Sequence, residues 1–143
     1  NSQHLSDWYS LTHILHGVLF FAMFWLVGST GWVRWSLPAR LVGAVVLECL
    51  WEVAENTNTV IERYRSVTIS LDYYGDSVLN SVCDILAMTF GFFLASRLPV
   101  WATVTLALSF EAFTIWMIRD GLALNVLMLL YPLDWMAGWQ AGR

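Results

Sequence analysis

The sequence predicts an all-α integral membrane bundle of four transmembrane helices, followed by a short C-terminal interfacial or re-entrant helix. Two observations predict this class. The 143 residues are 58% hydrophobic and only 13% charged, with a mean hydropathy of +0.60, whereas a soluble domain carries roughly twice that charged fraction. Four apolar runs are each long enough to cross a hydrocarbon core of about 30 Å. We expect one transmembrane domain over residues 1–143, with an upstream segment missing because residue 1 is not methionine.

The ends of the apolar runs carry local helix signals. The four predicted helices cover about residues 9–27, 39–56, 75–96 and 100–118. Pro38 suits the first turn of the second helix. Asp72 or Asp76 is expected to cap the third helix. Pro99 ends that helix and separates it from the fourth.

Two segments fall outside these runs. Residues 57–74 are polar and aromatic, and we expect a short interfacial helix or strand there. Residues 121–133 are apolar but too short to span a bilayer with certainty, so we interpret them as a re-entrant or interfacial fifth helix, with a spanning helix as the alternative. The tail that follows contains tryptophans typical of an interface anchor.

Charge and cysteine content exclude some functions. The net charge is −4, and the cations are seven arginines with no lysine, so no basic stripe exists to neutralise the phosphates of a nucleic acid. Cys49 and Cys83 lie in apolar helical runs and are expected to be free thiols used in packing.

Arginine placement suggests an orientation. The loops after the first and third helices carry Arg34, Arg40 and Arg97 without an acid, whereas the arginines on the other side are offset by acids. The cations alone are tied at three on each side, and the compact acid-free loops favour the cytoplasm. We therefore expect a multi-pass protein of the bacterial inner membrane, with its N-terminus and acidic pocket on the periplasmic side.

Polar side chains of three helices converge at one depth. They are Glu48, Glu52 and Glu55 on the second helix, Asp76, Asn80 and Asp84 on the third, and His13 and His16 on the first. The spacing places each set on one helix face, and a rise of 1.5 Å per residue places all of them within about 13 Å of the same end. Gly17 beside the histidines lets a neighbouring helix approach closely.

Such a cluster in a membrane points to function. We expect His13, His16, Glu52 and Asp84 to ligate zinc or another divalent metal, with Glu52 and Asp84 as the catalytic carboxylates. The remaining polar groups would bind the substrate: Arg63, Arg65, Asn80, Glu48, Glu55 and Asp76. A metal with a carboxylate base suits hydrolysis or group transfer on a lipid-linked phosphate or amide, and the arginines suit an anionic head group.

Other interpretations stay open. The cluster could be a purely hydrogen-bonded interior, and Glu111 with Arg119 is expected to form an ion pair at a helix end. The protein could instead be a non-enzymatic accessory or assembly subunit of a respiratory or photosynthetic complex, contacting membrane lipids and other membrane subunits. A proton relay in transport is a third alternative.

Several long runs resemble one known family. They are SQHLSDWYSLTHILHG, ECLWEVAEN, ERYRSVTISLDYYGDSVLNSVCDILAM and IRDGLALNVLMLLYPLDW. Together they resemble a family of small inner-membrane proteins of alphaproteobacteria, catalogued only as a domain of unknown function. The resemblance covers essentially the whole chain and implies a membrane location without an activity.

A looser likeness is to VanZ-like membrane proteins. The polar residues that recur in those proteins would correspond here to His16, Glu52, Arg63 or Arg65, and Asp76 with Asn80 or Asp84. The spacing departs from that pattern, because Asp84 stands where a small residue is expected and two further glutamates flank Glu52. The likeness implies an outward-facing pocket of open chemistry.

Overall fold

The computed structural model describes residues 2–31 and 34–142, which form seven α-helices and contain no strand. The helices are α1 (Ser10–Ser29), α2 (Leu37–Glu55), α3 (Asn58–Val67), α4 (Val78–Arg97), α5 (Val100–Ile118), α6 (Leu122–Leu130) and α7 (Asp134–Gln140). The all-α prediction is therefore confirmed. The four long predicted helices correspond to α1, α2, α4 and α5, with ends that differ by at most three residues.

Three of these helices, α1, α4 and α5, are long and apolar enough to cross a membrane. The fourth long helix, α2, has 19 residues, but it carries Arg40 and three glutamates in its length. Length and composition therefore indicate a membrane protein with three spans and do not confirm the fourth. Large apolar side chains such as Trp101, Leu108 and Trp116 are exposed on α5, where a bilayer would cover them.

Serines, not aspartates, begin two of the long helices. The Ser36 side chain accepts a hydrogen bond from the Ala39 amide at 3.4 Å, and Pro38 occupies the first turn of α2 as expected. The Ser77 side chain accepts from the Asn80 amide at 3.1 Å at the start of α4. The prediction that Asp72 or Asp76 caps this helix is wrong, because α4 begins only after Ser77, which is its N-cap residue.

The segments outside the long helices are also helical. Residues 57–74 contain α3, which decides between the expected helix and strand, and α6 lies within the predicted segment 121–133. With nine residues, α6 is far shorter than the roughly 20 residues of a spanning helix. The tail forms α7, a helix that sequence analysis did not predict.

The tightest contact in the bundle joins α1 to α4 through two glycines. A Cβ atom on Gly17 would lie 1.9 Å from the Met88 carbonyl oxygen, and one on Gly91 would lie 2.0 Å from the Ile14 carbonyl oxygen. Any larger residue at either position would force the two backbones apart. The close approach expected at Gly17 is thus found, and it sets the distance between the polar faces of α1 and α4.

A small apolar core lies next to this contact. Ala44, Met88 and Phe92 are fully buried in it, and the partly buried side chains around it are Phe20, Phe21, Phe24, Leu41 and Val45. Phe21 packs edge-on against Phe92, with ring centroids 5.3 Å apart. The phenylalanines of this core lie farther from the start of α1 than His13 and His16 do, so the end of the bundle where α1 begins is left to polar groups.

Candidate functional site

Two histidines and three carboxylates meet between α1, α2 and α4, at the end of the bundle where α1 begins. This His/carboxylate cluster consists of His13, His16, Glu48, Glu52 and Asp84. Glu48 is fully buried, Asp84, Glu52 and His13 are 3–7% exposed, and only His16 is half-buried. The helical spacing in the sequence therefore located these residues correctly, while their chemical role stays a prediction.

His13 lies among all three carboxylates. Its Nδ1 atom is 2.6 Å from Glu48 Oε1 and 3.6 Å from Glu52 Oε1. Its Nε2 atom is 3.9 Å from Asp84 Oδ2. An ionised carboxylate only accepts hydrogen bonds, so the short contact requires the proton on Nδ1. If the ring is neutral, Nε2 then carries the lone pair on the side of Asp84.

His16 shares the same partner. Its Nδ1 atom lies 3.0 and 3.1 Å from the two oxygens of Glu48, and its ring meets the His13 ring nearly edge-on at a centroid distance of 5.0 Å. Glu48 thus accepts from both imidazoles and fixes the orientation of both rings. A carboxylate that orients a histidine in this way is the usual outer partner of a metal-binding histidine.

Glu52 is the least satisfied member of the cluster. Both of its carboxylate oxygens are buried, and neither has a hydrogen-bond partner among the described residues. Asp84 receives one hydrogen bond, from the Ser10 hydroxyl at 3.2 Å. Burying a polar group without a partner is costly, and burying an unpaired charge is more so. His13 Nδ1, 3.6 Å from Glu52 Oε1, and the Ser81 side chain are nearby donors, but neither makes a well-formed hydrogen bond with Glu52. A cation or a better-placed donor would therefore stabilise this carboxylate.

The cluster has the donor set of a metal site. His13, Glu52 and Asp84 each offer a ligand atom within 4.8 Å of the others, and His13, His16 and Glu48 form a second such group. Ligand atoms around a tetrahedral zinc lie roughly 3.3–3.5 Å apart when each bond is 2.0–2.1 Å. A histidine binds a metal through one ring nitrogen, and since Glu48 holds Nδ1 of His13, Nε2 would be the ligand atom. Its separation of 3.9 Å from Asp84 Oδ2 is close to that value. The 3.6 Å to Glu52 Oε1 is measured from Nδ1, so the Glu52 side chain would have to rotate towards Nε2 to complete the first group.

A cavity of about 1050 Å³ adjoins the cluster. His13, His16 and Asp84 form part of its wall, whereas Glu48 and Glu52 do not line it. Other parts of its wall are apolar, from side chains including Leu50, Trp51 and Val126. Since Leu50 and Val126 are exposed, the cavity reaches the molecular surface, and its mixture of polar and apolar walls suits an amphiphile.

Three other predicted site residues lie along this cavity, namely Glu55, Asp76 and Asn80. Asp76 Oδ2 accepts a hydrogen bond from the Tyr73 hydroxyl at 2.6 Å, and its amide donates to Asn56 Oδ1 at 2.6 Å. Burial raises the pKa of Asp76, although the Tyr73 hydroxyl opposes this shift. Burial and the nearby Glu55 and Asp76 likewise raise the pKa of Tyr73, which stays a neutral donor.

The two loop arginines do not join the cavity wall. Arg63 donates from Nε and Nη2 to the Leu129 carbonyl at 3.0 and 2.8 Å, which ties α3 to the end of α6. Arg65 donates to the Tyr73 carbonyl. This differs from the predicted role in gripping a head group. Both arginine side chains instead donate hydrogen bonds to nearby backbone carbonyl groups.

Sequence analysis missed Asp120, which organises the same end of the bundle. This residue is fully buried. It accepts hydrogen bonds from the Tyr9 hydroxyl (2.8 Å), the Gly121 amide (2.9 Å), Asn125 Nδ2 (3.4 Å) and Gln140 Nε2 (3.2 Å). Burial raises the pKa of Asp120 and these donors oppose the shift. The signal in the sequence was a single aspartate between the apolar segments α5 and α6. Its role was missed because two of its donors, Tyr9 and Gln140, are distant in sequence.

Glu111 has a different role from the expected one. Its two carboxylate oxygens accept hydrogen bonds from the Leu122 and Ala123 amides at 2.9 and 2.8 Å. Arg119 instead donates to the Trp139 carbonyl at 3.1 Å. The ion pair predicted between Glu111 and Arg119 does not occur among the described contacts, because the free amides at the start of α6 are better placed to meet the carboxylate.

Comparison with known proteins gives a family but no activity. The family profile described as "Protein of unknown function (DUF2585)" matches residues 1–142. The chain is 60% identical to a "UPF0314 protein" of Paracoccus denitrificans over 141 residues, covering 99% of this chain and 71% of the relative. A UPF0314 protein of Sinorhizobium fredii is 58% identical, with 99% and 70% covered, and one of Agrobacterium fabrum is 49% identical, with 98% and 69% covered.

These matches agree with the resemblance seen in the sequence. They do not support the looser likeness to VanZ-like proteins. No solved structure is significantly similar to the chain.

Proposed function

The chain belongs to the DUF2585 family of alphaproteobacterial proteins, and we propose that it is an inner-membrane protein that binds a divalent metal in its His/carboxylate cluster and acts on a lipid-linked substrate in the adjoining cavity. The observation that carries this proposal is Glu52. Both of its oxygens are buried and lack hydrogen-bond partners among the described residues, while His13 and Asp84 offer ligand atoms within 4.8 Å.

The residues divide into two roles. His13, Glu52 and Asp84 would hold the metal, with zinc as the best match to a mixed nitrogen and carboxylate set. Glu48 would orient the His13 ring through its 2.6 Å hydrogen bond, and the same carboxylate holds His16. This assignment narrows the predicted ligand set, because the ligand atom of His16 groups with His13 and Glu48, whereas Glu52 and Asp84 group with His13 alone.

The cavity gives the metal site access to a substrate. His13 and Asp84 belong both to the cluster and to the cavity wall, so a head group in the cavity would meet the metal. The metal would polarise a carbonyl or phosphoryl oxygen. In hydrolysis, the oxygen of one water molecule would bond to that carbon or phosphorus, and the bond from the same atom to the leaving oxygen or nitrogen would break. A carboxylate of the cluster would take a proton from the water and deliver it to the leaving atom.

Three features support the location. The described spans are apolar enough for a membrane, and Asp120 joins Tyr9, at the start of α1, to Gln140, at the end of α7. The two ends of the described chain therefore lie on the same side of the bundle as the cluster. The acid-free arginines of the opposite loops favour the cytoplasm, which supports a periplasmic location for the cluster, with α2 as the fourth crossing.

Metal content tests the proposal. Purified protein incubated with Zn²⁺ and then desalted should retain about one zinc per chain by mass spectrometry, and His13→Ala and Glu52→Gln should each lose most of it. His4→Ala and Glu62→Gln are matched controls, since both parent residues are exposed and outside the cluster, and they should retain zinc like the wild type.

Substoichiometric zinc in the wild type, or equal zinc in Glu52→Gln and Glu62→Gln, would overturn the metal assignment. A hydrogen-bonded cluster that only fixes helix packing, as in an accessory subunit of a larger complex, predicts that second result.

A further inference from the structure

The cavity beside the His/carboxylate cluster is acidic along its polar wall. Its lining includes the carboxylates of Asp7, Glu55, Asp72, Asp76 and Asp84. Within the part of the chain that the structure describes, no arginine or lysine lines it. Arg63 and Arg65 are engaged with the carbonyls of Leu129 and Tyr73. Asp84 is assigned to the metal in the proposed function. Where the other four carboxylates are ionised, the wall favours a cationic head group over an anionic one.

Aromatic rings occupy the same cavity. Trp8, Trp51, Tyr64, Tyr73 and Tyr74 are all part of its lining. The Tyr64 and Tyr73 rings meet nearly edge-on at 5.3 Å, and the Tyr73 hydroxyl donates to Asp76 at 2.6 Å. Aromatic faces next to carboxylates are the surroundings that bind ammonium groups, since the ring quadrupole and the carboxylate charge both attract a cation.

One buried donor on the same wall lacks a partner. Asn80 is 1% exposed and lines the cavity, and its Nδ2 atom has no hydrogen-bond partner among the described residues. An amide N–H left unpaired in a buried position is costly. The Nδ2 atom itself has no accessible surface, so an ester, phosphodiester or hydroxyl oxygen in the cavity would satisfy it once the Asn80 side chain turns towards the cavity. Asn80 is therefore a candidate donor to a head-group oxygen, on the same wall as the carboxylates and aromatic rings that would bind the head-group nitrogen.

We propose that the cavity holds a membrane lipid whose head group carries an ammonium nitrogen next to an ester or phosphodiester oxygen. Its acyl chains would leave along the apolar wall formed by Leu50, Leu122 and Val126. The volume of about 1050 Å³ lies at the upper end of ordinary small-molecule sites and leaves room for a whole head group. This inference rests on the proposed function, because it names the substrate class for the same cavity.

Lipid retention tests the inference. Protein in neutral detergent is incubated with equal amounts of phosphatidylethanolamine and phosphatidylglycerol of identical acyl chains, and the bound lipid is read by native mass spectrometry. These lipids share the phosphodiester and differ in the ammonium group. We expect phosphatidylethanolamine to be retained with roughly a tenfold preference. Phosphatidylcholine should compete with it, because its nitrogen is also cationic.

Substitutions locate the recognition. Glu55→Gln combined with Asp76→Asn should remove most of the preference, whereas Glu62→Gln on the exposed face of α3 should leave it intact. Equal retention of the two lipids by the wild type, a preference for phosphatidylglycerol, or a preference unchanged in the double variant would each overturn the inference.

The same samples separate this inference from the metal proposal. Retention is measured again after chelation and with His13→Ala. A lipid preference in a protein that never binds zinc supports the lipid assignment and refutes only the metal site. Full zinc occupancy without a lipid preference refutes only the lipid assignment.

Discussion

Replacing Gly17 by alanine should both destabilise the bundle and disrupt the His/carboxylate cluster. The added Cβ would lie 1.9 Å from the Met88 carbonyl oxygen and 2.5 Å from the Phe92 amide nitrogen. Both atoms belong to the backbone of α4, so no side-chain rotation can relieve the contact. The helices must separate locally by about 1.5 Å to reach the 3.4 Å of an ordinary contact.

That separation has two measurable costs. Overpacking of a close contact costs about 1–3 kcal/mol, and here it also removes the apolar contacts of the neighbouring core. The His13 Nε2 to Asp84 Oδ2 distance of 3.9 Å would grow with it, since these residues lie one or two turns from the glycines on the same helices. Zinc retention should therefore fall together with the unfolding temperature.

Thermal unfolding in detergent, followed by circular dichroism and paired with the zinc assay, measures both effects. Gly138→Ala is the matched control, because a Cβ on Gly138 meets nothing within 4 Å, and alanine in a helix is favoured over glycine by about 0.5–1 kcal/mol. Gly91→Ala should behave like Gly17→Ala, with its Cβ 2.0 Å from the Ile14 carbonyl oxygen. An unfolding temperature for Gly17→Ala equal to that of Gly138→Ala would refute the role given to this contact.

Two further predictions concern the end of the bundle around the cluster. Asp120→Asn should lower the free energy of unfolding by about 1–3 kcal/mol, because the asparagine NH2 would face groups that donate hydrogen bonds to Asp120. Asp72→Asn, at an exposed site, is the control and should change the unfolding temperature little in the same assay. Since burial raises the pKa of Asp120 above 3.8, the folded protein keeps this proton at pH values where the unfolded chain has lost it. Stability should fall as the pH rises from 3.8 towards the raised pKa, and Asp120→Asn should lack that part of the slope. For topology, an alkaline phosphatase reporter fused after residue 142 should be active in cells, and one fused in the loop at residue 35 should be inactive; the reverse pattern would invert the proposed orientation.

The long helices and the cluster were predictable for the same reason. Apolar runs of about 20 residues have few alternatives in a membrane, and helical spacing fixes which side chains share a face. The depth and the helical period of these residues were therefore enough to predict that Glu48, Glu52, Asp84 and the two histidines lie close together. The pairing of individual atoms depends on rotamers, which the sequence does not specify, and so the turn of His16 towards Glu48 could not be foreseen.

The shorter elements depend on contacts distant in sequence. α7 has only seven residues, too few for a helix stabilised by local propensity. Its last residue, Gln140, donates to Asp120 at 3.2 Å, and Arg119 donates to the Trp139 carbonyl. Tertiary hydrogen bonds thus stabilise this helix. The same reasoning applies to Glu111, because its partners, the Leu122 and Ala123 amides, are identified only once the position of α6 is known.

The hydrogen bonds of the cluster give the reason for proposing a metal at Glu52 in place of simple protonation. Glu48 is satisfied by His13 and His16, and Asp84 by Ser10, which leaves Glu52 as the carboxylate in deficit. A proton would remove the charge of Glu52, but the resulting O–H group would still need an acceptor, and the other oxygen would still lack a donor. A divalent cation shared with His13 and Asp84 would neutralise the charge of Glu52 and at the same time coordinate its oxygen. The arrangement of the neighbours, more than the number of acids, is therefore what favours a metal at this site.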